Sequence, residues 1–191
     1  MARPRSDDKR DAILSAAARI FADRGLDAAP TAAISKAARV AEGTLFTYFA
    51  TKDALINALY CAIKLEMAEA MIRGLGRRKD GRSQLRHLWN GYVEWGIANP
   101  DKRKALTQLQ VSDRITDESR AAGEAPFAEI EVLAEGSILR HEIRDLPLSY
   151  LGATVSALAD ITMAFMAADT KGAARYQKIG FEILWNGIAP K

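Results

Sequence analysis

Between Thr31 and Lys52 the chain reads TAAISKAARVAEGTLFTYFATK, and few of its side chains can do chemistry. On helical spacing, Ile34, Ala37, Ala38, Val40, Leu45 and Phe49 supply apolar contacts to a core. Glu42, Thr44, Thr47 and Tyr48 are left on the outer side, although Tyr48 can also share in the core. Threonine and tyrosine hydroxyls donate to phosphate oxygens, and a threonine methyl can touch the thymine methyl in a major groove. Lys52 opens the next helix, where its charge and the free backbone N–H groups can both meet a phosphate. Thr31, at another helix start, can do the same from the other side of the groove. Gly43, in a first helical turn, costs about 1 kcal/mol of helix propensity. Close approach to a DNA backbone would compensate. Glu42 either favours the positive end of its helix or accepts a hydrogen bond from a cytosine amino group.

Other chemistries find no footing in the sequence. There is no nucleophile–base–orienter set, no metal-ligand spacing and no Gly-rich phosphate loop, so neither an enzyme, a metal nor a cofactor is expected. His87 and His141 stand alone. Cys61 is the only cysteine, which excludes an intrachain disulfide and fits a reducing, cytoplasmic setting. No apolar run follows the basic residues near the N-terminus, so a signal peptide is not expected. The longest apolar stretch, Leu148 to Ala168, approaches membrane-spanning length but carries Asp160 in its middle, a costly place for a charge in a bilayer. A helix buried in protein is expected there instead, and no membrane partner. The net charge of +3 is only mildly basic. Its distribution says more: Arg73, Arg77, Arg78, Lys79, Arg82 and Arg86 face Asp80 alone in residues 73–86. That run is either solvated surface or a patch that touches phosphate.

The elements that must position these residues are helical. No segment alternates like a strand with hairpin turns, so the fold class is all-α, with about nine helices. Ser6 can cap a first helix, with Asp7 and Asp8 near its positive end. Ile13, Ala17, Ile20 and Phe21 form its apolar stripe, and Gly25 supplies the stop. Thr31 can cap a short helix to about Ala38. Arg39–Val40–Ala41 makes a tight connection to a second short helix over about Glu42–Tyr48. Thr51 caps a long helix that Gly74, Gly76 and the basic run break. Further helices are expected over about 82–98, 101–111, 113–121, 124–140, 147–168 and 172–188.

The stretch resembles the DNA-binding domain of the TetR (tetracycline repressor) family. The resemblance rests on Thr31, on Ala37-Ala38-Arg39-Val40, on Gly43-Thr44-Leu45-Phe46-Thr47-Tyr48-Phe49 and on Lys52-Asp53-Ala54-Leu55. Ala16–Gly25, with Phe21 ahead of Arg24-Gly25, is similar to the family's first helix. The resemblance implies that Thr31, Thr44, Tyr48 and Lys52 hold the phosphate backbone and that Glu42, Gly43 and Thr47 face base edges. Arg3 and Arg5 resemble flexible arms that reach a groove, and a disordered tail is the alternative. Three residues depart from the pattern. Ala41 stands where serine is common, Arg39 replaces the usual glycine of the turn, and Phe46 replaces a tyrosine. Arg39 would be strained if its position needs a positive φ.

The rest of the chain suggests an interface and a sensor. Tyr176, Ile183 and Leu184, with Ile179 and Ile188, form an apolar face on the last helix, and Gly180 and Gly187 lie seven apart on one side. Leu151, Val155, Leu158, Thr162 and Phe165 line up on the helix before it. Two such surfaces exceed what one small core needs, and a two-fold four-helix interface would bury the excess. An intrachain hairpin is the alternative. A homodimer matches the resemblance and lets two copies read a pseudo-palindromic double-stranded operator. The resemblance further implies a cavity for a small apolar or aromatic effector near Trp89, Tyr92, Trp95, Phe127 and Met163. By spacing alone those residues read as core. Residues 1–50 are thus expected to be the helix-turn-helix domain, and residues 51–191 a ligand-binding and dimerisation bundle. A ligand there would shift the long helix that starts at Thr51, and so release a repressor from its operator.

Overall fold

The computed structural model describes residues 6–77 and 80–190. Arg3, Arg5, Arg78 and Lys79, and the side chains of Ser6 and Arg77, lie outside it. The described residues form α1 (Ser6–Arg24), α2 (Thr31–Ala37), α3 (Glu42–Tyr48), α4 (Lys52–Ile72), α5 (Gly81–Ala98), α6 (Pro100–Gln110), α7 (Asp117–Glu124), α8 (Ala128–Leu139), α9 (Leu148–Ala168) and α10 (Ala173–Ile188). Short 3-10 turns sit at Leu75–Arg77 and Ala125–Phe127, and the described residues contain no strand. The fold is all-α.

The helix boundaries have local causes. Gly25 takes φ +84° and its N–H donates to the Phe21 carbonyl at 2.9 Å, closing α1 as only a residue tolerant of the left-handed region does cheaply. Pro100 opens α6, where its missing N–H costs nothing. Thr51 caps α4 as its type predicts: its hydroxyl oxygen accepts the Ala54 N–H at 3.0 Å. Thr31 behaves differently. Pro30 is the residue that caps α2, in extended backbone and with no side-chain cap bond, and Thr31 is the first helical residue. Its hydroxyl is therefore free to bond elsewhere.

Packing divides the chain into two compact units, one of residues through Leu65 with Asn99–Glu124, the other of Glu66–Ala98 with Ala125 onwards. In the first unit α1 packs on α2 and α6, and α2 on α3. Ile13, Ala17 and Phe21 of α1 are buried with Ile34, Leu45, Phe49, Leu55, Ile56 and Leu109. Helices as short as α2 and α3 bury too little to stand alone, and this shared core holds them. The segment after α6 adds a polar clamp. Arg114 pairs with Asp27 at 2.9 Å and Asp53 at 2.8 Å. The Arg114 carbonyl accepts from Asn57 Nδ2 at 2.9 Å, and the Asn57 amide oxygen accepts the Thr116 N–H at 3.0 Å. Nearby, the buried Lys64 ammonium meets Glu124 at 2.9 Å.

In the second unit α5 packs on α8, α9 and α10, and α9 on α10. Trp89, Val93, Met163, Phe181 and Leu184 are its buried centre. Arg82 and Arg86 each bond Glu182 at 2.8 Å, and the Arg86 guanidinium lies 4.0 Å from the Phe181 ring centroid. Hydrogen bonds from Arg86, then the two guanidinium charges, hold the Glu182 carboxyl below the ordinary carboxylate range. The α9 helix is long and apolar enough to cross a membrane, but the expected burial is met on one side only: 28% of its apolar window is buried. Leu151, Ala159, Thr162, Met163 and Met166 face inward, and Tyr150, Ile161 and Phe165 are exposed. The chain's own helices cover one face of α9, so the intrachain bundle does not absorb its apolar surface. On α8 only Ser137 is buried, and Val132 and Leu139 are exposed.

Candidate nucleic-acid interface

The short helix α3 is oriented by a single buried anchor, Leu45, which is fully buried, with Phe49 buried at its end. At a hundred degrees per residue, Gly43 and Thr47 lie opposite Leu45 and form the centre of the outward face. Both are exposed. Thr44 and Tyr48, each half-buried, flank that centre on one side. Glu42 and Phe46, both exposed, flank it on the other. Among the described residues nothing lies within 4 Å of the position a Cβ would take on Gly43, so this surface is open.

The connection ahead of α3 explains its placement. Arg39 has φ +57°, in the left-handed region, and its N–H donates to the Lys36 carbonyl at 3.2 Å. The Val40 N–H donates to the Ser35 carbonyl at 3.0 Å, completing a glycine-type helix ending built on arginine. Ala41 then caps α3 in extended backbone without a side-chain bond.

Several of the site side chains have definite partners. The Thr31 hydroxyl donates to Glu42 Oε1 at 3.1 Å, so two residues eleven apart meet at the start of α3. The Thr47 hydroxyl donates back to the Gly43 carbonyl at 2.9 Å. Lys52 is half-buried, and its ammonium donates to the Asp27 carbonyl at 3.1 Å. Lys52 therefore stays beside the loop after α1 and keeps further donors for an anion. The Arg114 clamp grips the same two segments, at Asp27 and at Asp53 next to Lys52. Local spacing carries no signal for that clamp, because Arg114 lies 61 residues from Asp53.

The residues expected around an effector fall in the second unit. Trp89, Tyr92, Trp95 and Met163 are buried and Phe127 is half-buried. Trp89 Nε1 donates to the Gln177 carbonyl at 3.1 Å, and Trp95 Nε1 to Glu66 Oε1 at 3.1 Å. An open cleft of about 340 Å³ in this unit is polar instead, lined by Asp80, Arg82, Ser83, Arg86, His87 and Asn90. The residues expected at an interface divide. Leu151, Thr162, Gly180 and Leu184 are buried in their own unit. Val155, Leu158 and Tyr176 are half-buried, and Ile183 and Gly187 are exposed. A Cβ on Gly180 would collide with Thr162 and lie 2.7 Å from the Trp89 ring, so this glycine serves an internal contact. The outward stripe runs through Tyr150, Ile161 and Phe165 on α9 and through Ile179, Ile183 and Gly187 on α10.

Residues 13–59 match the family model described as bacterial regulatory proteins, tetR family. Over nearly the whole chain the fold is similar to solved structures. One is a TetR family transcription regulator from Marinobacter aquaeolei VT8, with 24% identity, 97% of each chain covered and a TM-score of 0.89. Another is a TetR-family transcriptional regulator from Haemophilus influenzae Rd, with 20% identity, 98% and 100% of the two chains covered and a TM-score of 0.79. A third is the transcriptional regulator FadR from Bacillus subtilis in complex with stearoyl-CoA, with 17% identity, 93% and 98% covered and a TM-score of 0.72.

Proposed function

We propose that this chain, a TetR-family protein in its N-terminal domain and a TetR-type regulator in its fold, represses transcription as a homodimer and leaves a pseudo-palindromic operator when a small molecule binds. The observation that carries the reading is the outward face of α3. Gly43 and Thr47 stand open at its centre, the Thr44 and Tyr48 hydroxyls flank it, and Lys52 sits at the start of the following helix. Thr44, Tyr48 and Lys52 then hold phosphates, as does Thr31 through the backbone N–H groups of its helix start, its hydroxyl being given to Glu42; Glu42, Gly43 and Thr47 face base edges. Hydroxyls and a lysine at a helix start suit phosphate, and an uncrowded glycine lets the helix approach the groove floor.

The stripe through Tyr150, Ile161, Phe165, Ile179 and Ile183 supports the dimer. A second copy would cover it in a four-helix arrangement and give the symmetry a palindrome needs. The effector is a small, apolar or aromatic molecule bound in the second unit around the Trp89–Met163 centre. The α8 helix, apolar yet barely buried, is the element that would give way to admit it. The relative solved with stearoyl-CoA supports an apolar ligand. The α4 helix belongs to both units by chain continuity. A ligand that binds the two states unequally would move it and change the operator affinity.

The test pairs two variants on duplexes selected from a random pool. Lys52→Ala weakens all sequences about equally and flattens the salt dependence by about one ion per protomer. Changes at Thr47 alter the sequence preferred. The opposite pattern would reverse the orientation assigned to α3. Operator affinity unmoved by a broad screen of apolar and aromatic compounds would sink the effector half of the reading.

A further inference from the structure

Two flanks of α3 differ in chemistry. Thr44 and Tyr48 carry hydroxyls that phosphate oxygens accept. The opposite flank carries Glu42, which repels phosphate, and Phe46, which has no donor at all. A recognition helix placed symmetrically in a groove would set this second flank against the other strand's backbone. That arrangement wastes one flank and incurs repulsion from Glu42. Seating the helix nearer the strand that Thr44 and Tyr48 grip keeps their phosphate contacts, draws Glu42 away from the other strand's backbone and leaves the Phe46 side turned towards the base edges across the groove.

Two further observations make the surface turned inward apolar. Phe46 is 42% exposed, a large ring left on the surface of a helix whose Leu45 is fully buried. Thr47 has already given its hydroxyl hydrogen to the Gly43 carbonyl at 2.9 Å, so its methyl is the group best suited to a new contact. Gly43 contributes no side chain. In the major groove one base carries an apolar group, the thymine 5-methyl. Glu42, held in place by the Thr31 hydroxyl at 3.1 Å, is the acceptor beside them.

We propose that Phe46, with the Thr47 methyl, reads thymine 5-methyl groups, and that the preferred half-site carries thymine at the positions α3 faces. The inference rests on the DNA-binding reading above. Duplexes selected from a random pool by the wild-type protein are remade with deoxyuridine in place of thymidine, which removes the 5-methyl and keeps base pairing. Each lost contact weakens binding about fourfold, and one in each half-site about fifteenfold. Phe46→Ala, whose folding is checked by its melting curve, loses most of this sensitivity, and Phe46→Tyr retains it. Wild-type binding that ignores the 5-methyl groups, or a Phe46→Ala variant with an undiminished uracil penalty, overturns the inference and leaves the DNA-binding reading standing. Absence of salt-dependent duplex binding by the wild type overturns both.

Discussion

Replacing Gly180 by alanine tests the packing of the second unit where α9, α10 and α5 meet closely. The added methyl would collide with Thr162 and lie 2.7 Å from Trp89. Neither neighbour can move cheaply. Thr162 is β-branched, buried and bonded to the Leu158 carbonyl at 2.8 Å. Trp89 is 1% exposed, and its indole N–H is committed to the Gln177 carbonyl. Two such contacts, against neighbours that cannot yield, put the overpacking cost at the upper end of its range, about 3 kcal/mol. Against it stands about 1 kcal/mol gained by removing a glycine from a helix interior. The balance is a loss of about 2 kcal/mol, which for a chain of this size lowers Tm by about 4–8 °C. Calorimetry at several protein concentrations reads it, and the loss should appear at every concentration because the contact lies within one chain. A Tm equal to or above that of the wild type would refute the Trp89–Gly180–Thr162 contact.

Three other substitutions probe independent features. Arg39→Gly removes a non-glycine residue from φ +57°, a conformation that costs about 1–2 kcal/mol. After the extra chain entropy of glycine it should stabilise by about 0.5–1 kcal/mol, read as a higher Tm. Arg114→Ala releases Asp27 and Asp53 together. These pairs are exposed, so stability should fall by less than about 1 kcal/mol, yet operator affinity should drop several-fold. Unchanged affinity would show that the clamp does not position Lys52. The Glu182 carboxyl has a lowered folded pKa, so its pairing with Arg82 and Arg86 stabilises above the ordinary carboxylate range and is lost as pH falls through the folded value. Glu182→Gln should therefore lower Tm at neutral pH, and the difference should shrink as the pH falls through the folded value, as melting curves over a descending pH series will show.

The helix pattern was legible wherever local chemistry decides it. Leu45 and Phe49 on one side predict α3 over Glu42–Tyr48, and Thr51 predicts the start of α4. The strain at Arg39 was legible too, since a turn that favours glycine asks for positive φ. What spacing could not reach were choices made by distant residues. Thr31 looked like a cap, but Pro30 took that place, and the hydroxyl found Glu42 eleven residues on. Gly180 and Gly187 share a helical side, yet Trp89 and Thr162 press on the first, and among the described residues nothing comes within 4 Å of a Cβ on the second. Periodicity assigns a face to each residue; only packing tells which of two apolar faces belongs to the chain itself. Arg114 illustrates the same limit, since its partners lie in segments remote in sequence. In the sequence Phe46 reads as a missing hydroxyl; that its ring stands exposed is set by packing.

In the proposed function this chain grips duplex DNA through α3 and the start of α4, two copies at a time. The most direct measurement is the affinity and stoichiometry of the wild-type protein on a selected duplex, taken across a salt series. Two chains per site are expected, with an affinity that falls linearly on a log–log plot and a slope reflecting several phosphate contacts. Binding that is absent, or indifferent to salt, would contradict this reading.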